Sequence, residues 1–482
     1  MGLLATTILR MVFYAIALLI NFVASIVLVR KLKPADYAVF QFVNRRLSTF
    51  IVFPIQLLGF WAYRYEAEGL GGGLCLILFS LLYFALSSSI GFLVAYNWLN
   101  VTTIIALLVG LLLGLRSIFI GIRILLSNLR PVKFSLMILA YRIVYSISVV
   151  VLVYLLSLQL LGAFGASILA LFSSIVIGYF WIRSRISGKR SCQSYIAEWI
   201  RIAYAPLLVM ASNLVSSLDA VLAYNLWGPD LVAGFFAAGI LVSLVSEVIV
   251  TGFEYLAAYV LQTRDYRSPL RTARVTVSLA IPLLAYVSVH RQWAIDLINP
   301  VYRWASIAIP LFAIARILEM LNAGLLRVFE GLQRGGAKAA RKVSKLYMYT
   351  FTSALLYITV SLGGFILAHD IWQALVIWIG AHITRLAINI AVVCLLVNVR
   401  EFLHESKKTI TLIFIYYVFA YCLGLFLAPY PTKSTRFLDL VEAALLPFTA
   451  HYTLCTIALY ALDKDTRAIT KKLLLMVRET IF

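Results

Sequence analysis

The chain has 482 residues, of which 63% are hydrophobic and only 13% charged. A soluble domain carries about a quarter charged residues, so a soluble globular protein is excluded. No segment alternates apolar and polar residues over about ten positions, which excludes a transmembrane β-barrel. The net charge of +21 would suggest nucleic acid for a soluble protein. In a chain this apolar it is explained by the Lys and Arg of cytoplasmic loops, and no nucleic-acid partner is expected.

A helix needs roughly 20 apolar residues to cross a bilayer. Such runs fall near 7–29, 38–62, 72–95, 101–122, 133–156, 161–182, 202–224, 233–261, 273–289, 304–326, 346–367, 372–396, 410–427 and 438–460. The sequence therefore predicts an all-α polytopic membrane protein of about 14 transmembrane helices. The first run is too long for a signal-peptide core and lacks a cleavage site, so it reads as a retained span.

Lys and Arg gather in the connectors after even-numbered spans, for example Arg183, Arg185, Lys189 and Arg190, or Arg327, Arg334, Lys338, Arg341 and Lys342. That bias predicts both termini in the cytoplasm. The segment 183–201 is basic and Ser-bearing, which suits a cytoplasmic linker lying on anionic lipid. In the tail 461–482, the final stretch, Ile469–Phe482, carries Lys471, Lys472 and Arg478 among leucines and reads either as an interfacial amphipathic helix or as a frayed basic tail. The expected division is 1–182 (spans one to six), the linker 183–201, 202–396 (spans seven to twelve), 397–460 (the last two spans) and the basic tail.

Two stretches resemble each other. Arg30-Lys31-Leu32-Lys33-Pro34-Ala35-Asp36-Tyr37 and Asn225-Leu226-Trp227-Gly228-Pro229-Asp230-Leu231 each follow an apolar run and place a Pro in a short turn before the next. Equivalence of Pro34 and Pro229 implies two six-helix lobes. Six is even, so the lobes enter the membrane from one side, as parallel repeats do. Prolines 54, 206, 282, 310 and 447 fall inside spans, where a lost backbone donor kinks a helix.

The charges at bilayer depth carry the functional signal. Arg45, Arg46, Arg142, Arg316 and Arg385 lie inside spans, and insertion costs about 2.5–3.5 kcal/mol for each at a helix centre. The first six spans hold no acid, whereas the second lobe holds Asp219, Glu247, Glu254 and Glu319. Arg316 and Glu319 share a helix face and should pair. For the rest, two readings stand: the acids reach across to neutralise the arginines, or the arginines receive an anionic substrate such as a pyrophosphate through paired hydrogen bonds. Asn21, Gln41, Asn44, Asn213, Ser216, Ser217, Asn322 and Asn389 add neutral polar groups, as suited to helix packing as to sugar. No G-x-x-x-x-G-K-[ST] loop occurs, so no ATPase is expected. The five cysteines show no metal or redox spacing, and no metal or cofactor is expected.

The Arg30-x-Leu32-x-Pro34-x-Asp36-Tyr37 turn resembles the R-x-L-x-P-x-[DE]-Y-G turn of polysaccharide-biosynthesis flippases. These belong to the MOP superfamily, which also holds MATE drug exporters and the lipid II flippase. Ala38 stands where that family usually has Gly. Asp219 and the Gly228-Pro229…Ala233-Gly234-Phe235 stretch look like its seventh-to-eighth span turn. The resemblance implies a two-lobe, non-enzymatic transporter of lipid-linked, polyprenyl-pyrophosphate oligosaccharide, working by alternating access. It implies a cell-membrane monomer surrounded by lipid, with glycan polymerases or transferases as associates. The last two spans would offer a groove to the lipid tail. A MATE-type cation-coupled drug exporter is the alternative, using an acid such as Asp219 or Glu254.

Overall fold

The computed structural model describes residues 3–67, 71–184, 186, 191–201, 204–253, 256, 260, 265–332, 336–396, 400–430, 436–464 and 467. Among them the secondary structure is helical throughout. The helices are α1 (Leu3–Lys31), α2 (Pro34–Gln41), α3 (Ser48–Ala67), α4 (Gly73–Asn97), α5 (Thr103–Leu129), α6 (Pro131–Val149), α7 (Gln159–Ile182) and α8 (Cys192–Arg201). There follow α9 (Tyr204–Phe253), α10 (Arg267–Val289), α11 (Arg291–Ile298), α12 (Ala308–Leu332), α13 (Gly336–Leu367), α14 (Ile371–Leu396), α15 (Arg400–Phe426) and α16 (Phe437–Leu462). Among the described residues, twelve helical segments are long and apolar enough to cross a membrane. One of them, Leu207–Phe253, has 47 residues and breaks at Gly228, so it supplies two of the predicted spans. The predicted span 38–62 is divided among α2, a π-helical turn (Phe42–Leu47) and α3. With these two adjustments the fourteen apolar runs are accounted for.

Contacts divide the chain into two compact units, 1–236 with 340–371, and 237–339 with 372–482. In unit 1, α5 packs on α3, α4 and α7, and α6 packs on α1 and α7. The α4–α5 seam is close because glycines lie in it. A Cβ on Gly110 would stand 2.7 Å from the Ser88 carbonyl oxygen, and one on Gly114 would strike the Ser88 hydroxyl. This Gly-x-x-x-Gly spacing lets backbones approach where packing, not water, drives association.

Residues 204–236 group with unit 1 because α9 lies along α13. Ser212 donates to the Thr350 carbonyl (3.1 Å), Tyr357 to Asp219 (2.7 Å) and Trp227 to the Phe365 carbonyl (3.0 Å). Each pair is 138 residues apart in sequence, so the two helices run in the same direction, in register. The steps of seven and eight residues along α9 keep one stripe on this seam. The unit boundary therefore falls within α9 rather than at the segment 183–201.

That segment is not a simple linker. Residues 192–201 form α8, whose Tyr195 and Trp199 are buried and whose rings lie 5.5 Å apart. They sit one turn apart on the inner face, and α8 packs against α3. Arg185, Lys189 and Arg190, like Lys471, Lys472 and Arg478 of the tail, lie outside the described residues.

In unit 2, α10 packs on α12, α15 and α16. Pro282 and Pro447 lie within α10 and α16. The Pro282 carbonyl meets His451 Nε2 at 3.1 Å, and the Leu279 carbonyl accepts from the Tyr452 hydroxyl at 3.2 Å. Proline disturbs the helical bonds to the carbonyls three and four residues before it, so of these two contacts the one to Leu279 is a substitute of the kind a membrane requires. Pro310, expected to kink a span, instead occupies the first turn of α12, where no intrahelical donor is lost.

Candidate functional site

The site in unit 1 begins where α1 ends. Lys33 is extended (φ −63°, ψ 152°) and Pro34 opens α2, where its missing N–H is no loss. Asp36 in the first turn of α2, and Arg30 with Lys31 in the last turn of α1, complement the two helix dipoles. Pro229 plays a comparable part: Gly228 before it takes φ 78°, a left-handed conformation that suits glycine, and the chain re-enters a buried run, Leu231–Ala233. Both look-alike stretches are thus breaks from which a proline starts the next helix.

After about two turns, α2 widens into the π turn Phe42–Leu47. Such turns are rare and occur often at functional sites. Phe42, Val43 and Leu47 are buried. The Phe42 ring meets Trp98 at the end of α4 (5.0 Å) and Tyr224 of α9 (6.4 Å), which fixes the inner side of the turn. Asn44, Arg45 and Arg46 occupy its remaining circumference.

The turn gathers charge from three other helices. Arg46 Nη2 donates to Asp219 Oδ2 at 2.9 Å; its side chain is 22% exposed and that of Asp219 only 3%. The same Oδ2 accepts from Tyr357 (2.7 Å), while Oδ1 accepts from the Ala220 amide (2.6 Å). Arg45 is exposed, and its guanidinium carbon lies 5.3 Å from the Phe236 ring, with that of Arg46 at 5.8 Å. Asn44 Oδ1 accepts from Arg116 Nη1 of α5 at 3.1 Å. Arg116 in turn lies within coulombic range of Arg142 of α6. Arg142 Nη1 donates to Asn21 Oδ1 of α1 at 2.6 Å, and Ser146, one turn on, donates to the Ile20 carbonyl. Arg116 and Arg142 are both partly exposed.

Of the sequence-predicted residues, unit 1 thus joins Arg45, Arg46, Arg142 and Asp219, together with Asn21 and Asn44. Arg116 belongs with them and was not among the candidates. Its signal was available as a lone charge inside the apolar run 101–122. For Arg46 the pairing alternative holds, since Asp219 binds it directly. Ser216 and Ser217, expected among sugar-binding groups, donate to the carbonyls of Ser212 and Asn213 on their own helix.

Unit 2 holds the other candidates. Arg316 Nη1 and Glu319 Oε2 on α12 are 2.5 Å apart, the expected pair, and Glu247 lies within coulombic range of Arg316. Arg385 is partly buried on α14, one turn from the buried Asn389. Glu254 lies outside the described residues.

No protein-family profile matches the sequence, and neither does any curated protein. Several solved structures share the fold. An inward-facing multidrug-resistance MATE transporter of the MOP superfamily aligns with a TM-score of 0.61 at 13% identity, over 84% of this chain and 99% of its own. The lipid II flippase MurJ, in an inward closed conformation, gives 0.60 at 13% identity, over 94% of this chain and 99% of its own. An outward-facing MATE transporter gives 0.55 at 13% identity, over 85% and 96%. At such identities the likeness establishes the fold, a multi-pass helical membrane architecture common to MATE exporters and MurJ.

Proposed function

We propose that the chain moves a lipid-linked, polyprenyl-pyrophosphate oligosaccharide across the cell membrane by alternating access. Arg45, Arg46, Arg116 and Arg142 would receive the pyrophosphate. The observation that carries this reading is the convergence of four guanidinium groups in unit 1 although α1 and α4–α7 contain no Asp or Glu. Asp219 holds one of them. Asn44 and Asn21 orient Arg116 and Arg142 through amide oxygens, which fix the guanidinium fork. Cations inside a membrane are costly and mark substrate pathways, and a pyrophosphate offers each guanidinium a charge-assisted bond worth about 1.5–3 kcal/mol. The fold shared with a lipid II flippase agrees with a lipid-linked cargo. In the same reading Arg316 and Arg385 serve the glycan path in unit 2, α15 and α16 lie along the lipid tail, and both termini are cytoplasmic. The reaction is transport, with no catalytic step.

One observation favours a second reading. Asp219 is a buried carboxylate, as a cation-coupled exporter of the MATE type would need. Reconstituted vesicles separate the two: a fluorescent polyprenyl-pyrophosphate oligosaccharide should change leaflets, and cationic dye should not move. Dye transport without lipid transport would overturn the flippase assignment.

A further inference from the structure

On the surface of unit 1, α6 and α7 border an open groove of about 540 Å³. Leu136, Leu139 and Ile143 line one side, and Ile177, Phe180 and Trp181 the other. These positions recur at three- and four-residue steps, so each helix turns one continuous apolar stripe into the groove. The helices are antiparallel across it, since Leu136 is near the start of α6 and Trp181 near the end of α7. Three cations gather at that end. Lys133 Nζ lies 5.9 Å from the Trp181 ring and the Arg183 guanidinium 5.0 Å from the Phe180 ring. Arg130 Nη2 donates to the Ser184 hydroxyl at 3.4 Å, across the mouth from α6 to α7.

We propose that this groove is a binding site for an anionic membrane phospholipid, with an acyl chain along Leu136–Ile143 and the head-group phosphate held by Arg130, Lys133 and Arg183. Charge at one end and hydrocarbon along the rest match the two parts of such a lipid. Trp181 stands at their boundary, where aromatic rings with one wet edge settle. A zwitterionic lipid would place its own cation among these three, so the site discriminates by head group. Its charged end, at Lys133, lies about two and a half helical turns along α6 from Arg142, the cluster residue on the same helix, so the head-group site is distinct from the one proposed for the cargo, and it does not rest on that proposal.

The test uses the full-length protein in detergent, with phosphatidylglycerol bearing brominated chains as the probe. Native mass spectrometry should show one phosphatidylglycerol retained by the wild type. The R130Q/K133Q/R183Q variant should bind it at least tenfold more weakly. Ala140→Phe, which fills the groove without touching a charge, should lose it too. Bromine should quench a fluorescence component that disappears in Trp181→Phe. Equal quenching by brominated phosphatidylcholine, or undiminished retention by either variant of unchanged melting temperature, would reduce the groove to ordinary lipid contact and overturn the proposal. Displacement of the probe, one for one, by a polyprenyl phosphate would overturn it as well, by giving the site to the lipid carrier.

Discussion

Unit 2 settles Arg316 with an acid three residues away on the same helix, whereas in unit 1 Arg46 reaches 173 residues along the chain to Asp219. Arg116 and Arg142 bond to asparagines of other helices, 72 and 121 residues distant. A local pair forms as soon as its helix does, and it neutralises its own charge in any surroundings. A long-range cluster exists only when several helices are assembled. The first arrangement settles an arginine within a single helix. The second depends on the assembled helices to place its cations.

The largest effect that separates the two arrangements should appear in transport. The triple change of Arg45, Arg46 and Arg142 to Ala should abolish flipping in reconstituted vesicles while membrane insertion persists. Arg116→Ala alone should lower it roughly 10- to 100-fold, from the loss of one charge-assisted contact of about 1.5–3 kcal/mol. Full transport by the triple variant would leave the unit 1 arginines a structural role only. Next in size is Asp219→Ala, which strands Arg46 and removes the acceptor of Tyr357. Because Arg46 keeps some exposure, the loss should be about 2–3 kcal/mol rather than the full value of a buried pair, read as a lower melting temperature in detergent. An unchanged melting temperature would mean the pair contributes nothing to assembly.

Smaller still is Gly110→Ala, whose added methyl would press on the Ser88 carbonyl in the α4–α5 seam and cost about 1–3 kcal/mol of thermal stability. The least effect belongs to unit 2. Glu319→Gln should cost about 0.5 kcal/mol or less, as a local pair with Glu247 still nearby. A loss of transport in that variant as large as that of Arg116→Ala would erase the distinction between the units.

The span positions were legible because crossing a bilayer demands a length of apolar sequence that few other structures need. The pair Arg316–Glu319 was legible for the same reason of local geometry. The π turn was not, since hydropathy does not distinguish an i→i+5 turn from the α-helix around it; the run Asn44-Arg45-Arg46 hinted only at polarity. Asp219 could be named as a candidate partner, but its choice of Arg46 depends on the α9–α13 seam, which exists only in three dimensions. Arg116 was overlooked among aliphatic neighbours although a lone arginine there carries the same cost as Arg142. The helix 192–201 was hidden by the basic residues before it, while Tyr195 and Trp199, four apart, carried its apolar face.

The π turn also sets an arithmetic constraint on this segment. It contains a surplus residue relative to the regular helix on either side. Removing any one position between Phe42 and Leu47 would not merely shorten the span. It would restore ordinary winding, leaving the helix beyond in its present register and re-aiming the residues of the turn itself, among them Arg45 and Arg46, which now face Phe236 and Asp219. Chain length here, and not composition alone, aims the cations, so a deletion that keeps every arginine should be as damaging as one that takes an arginine away.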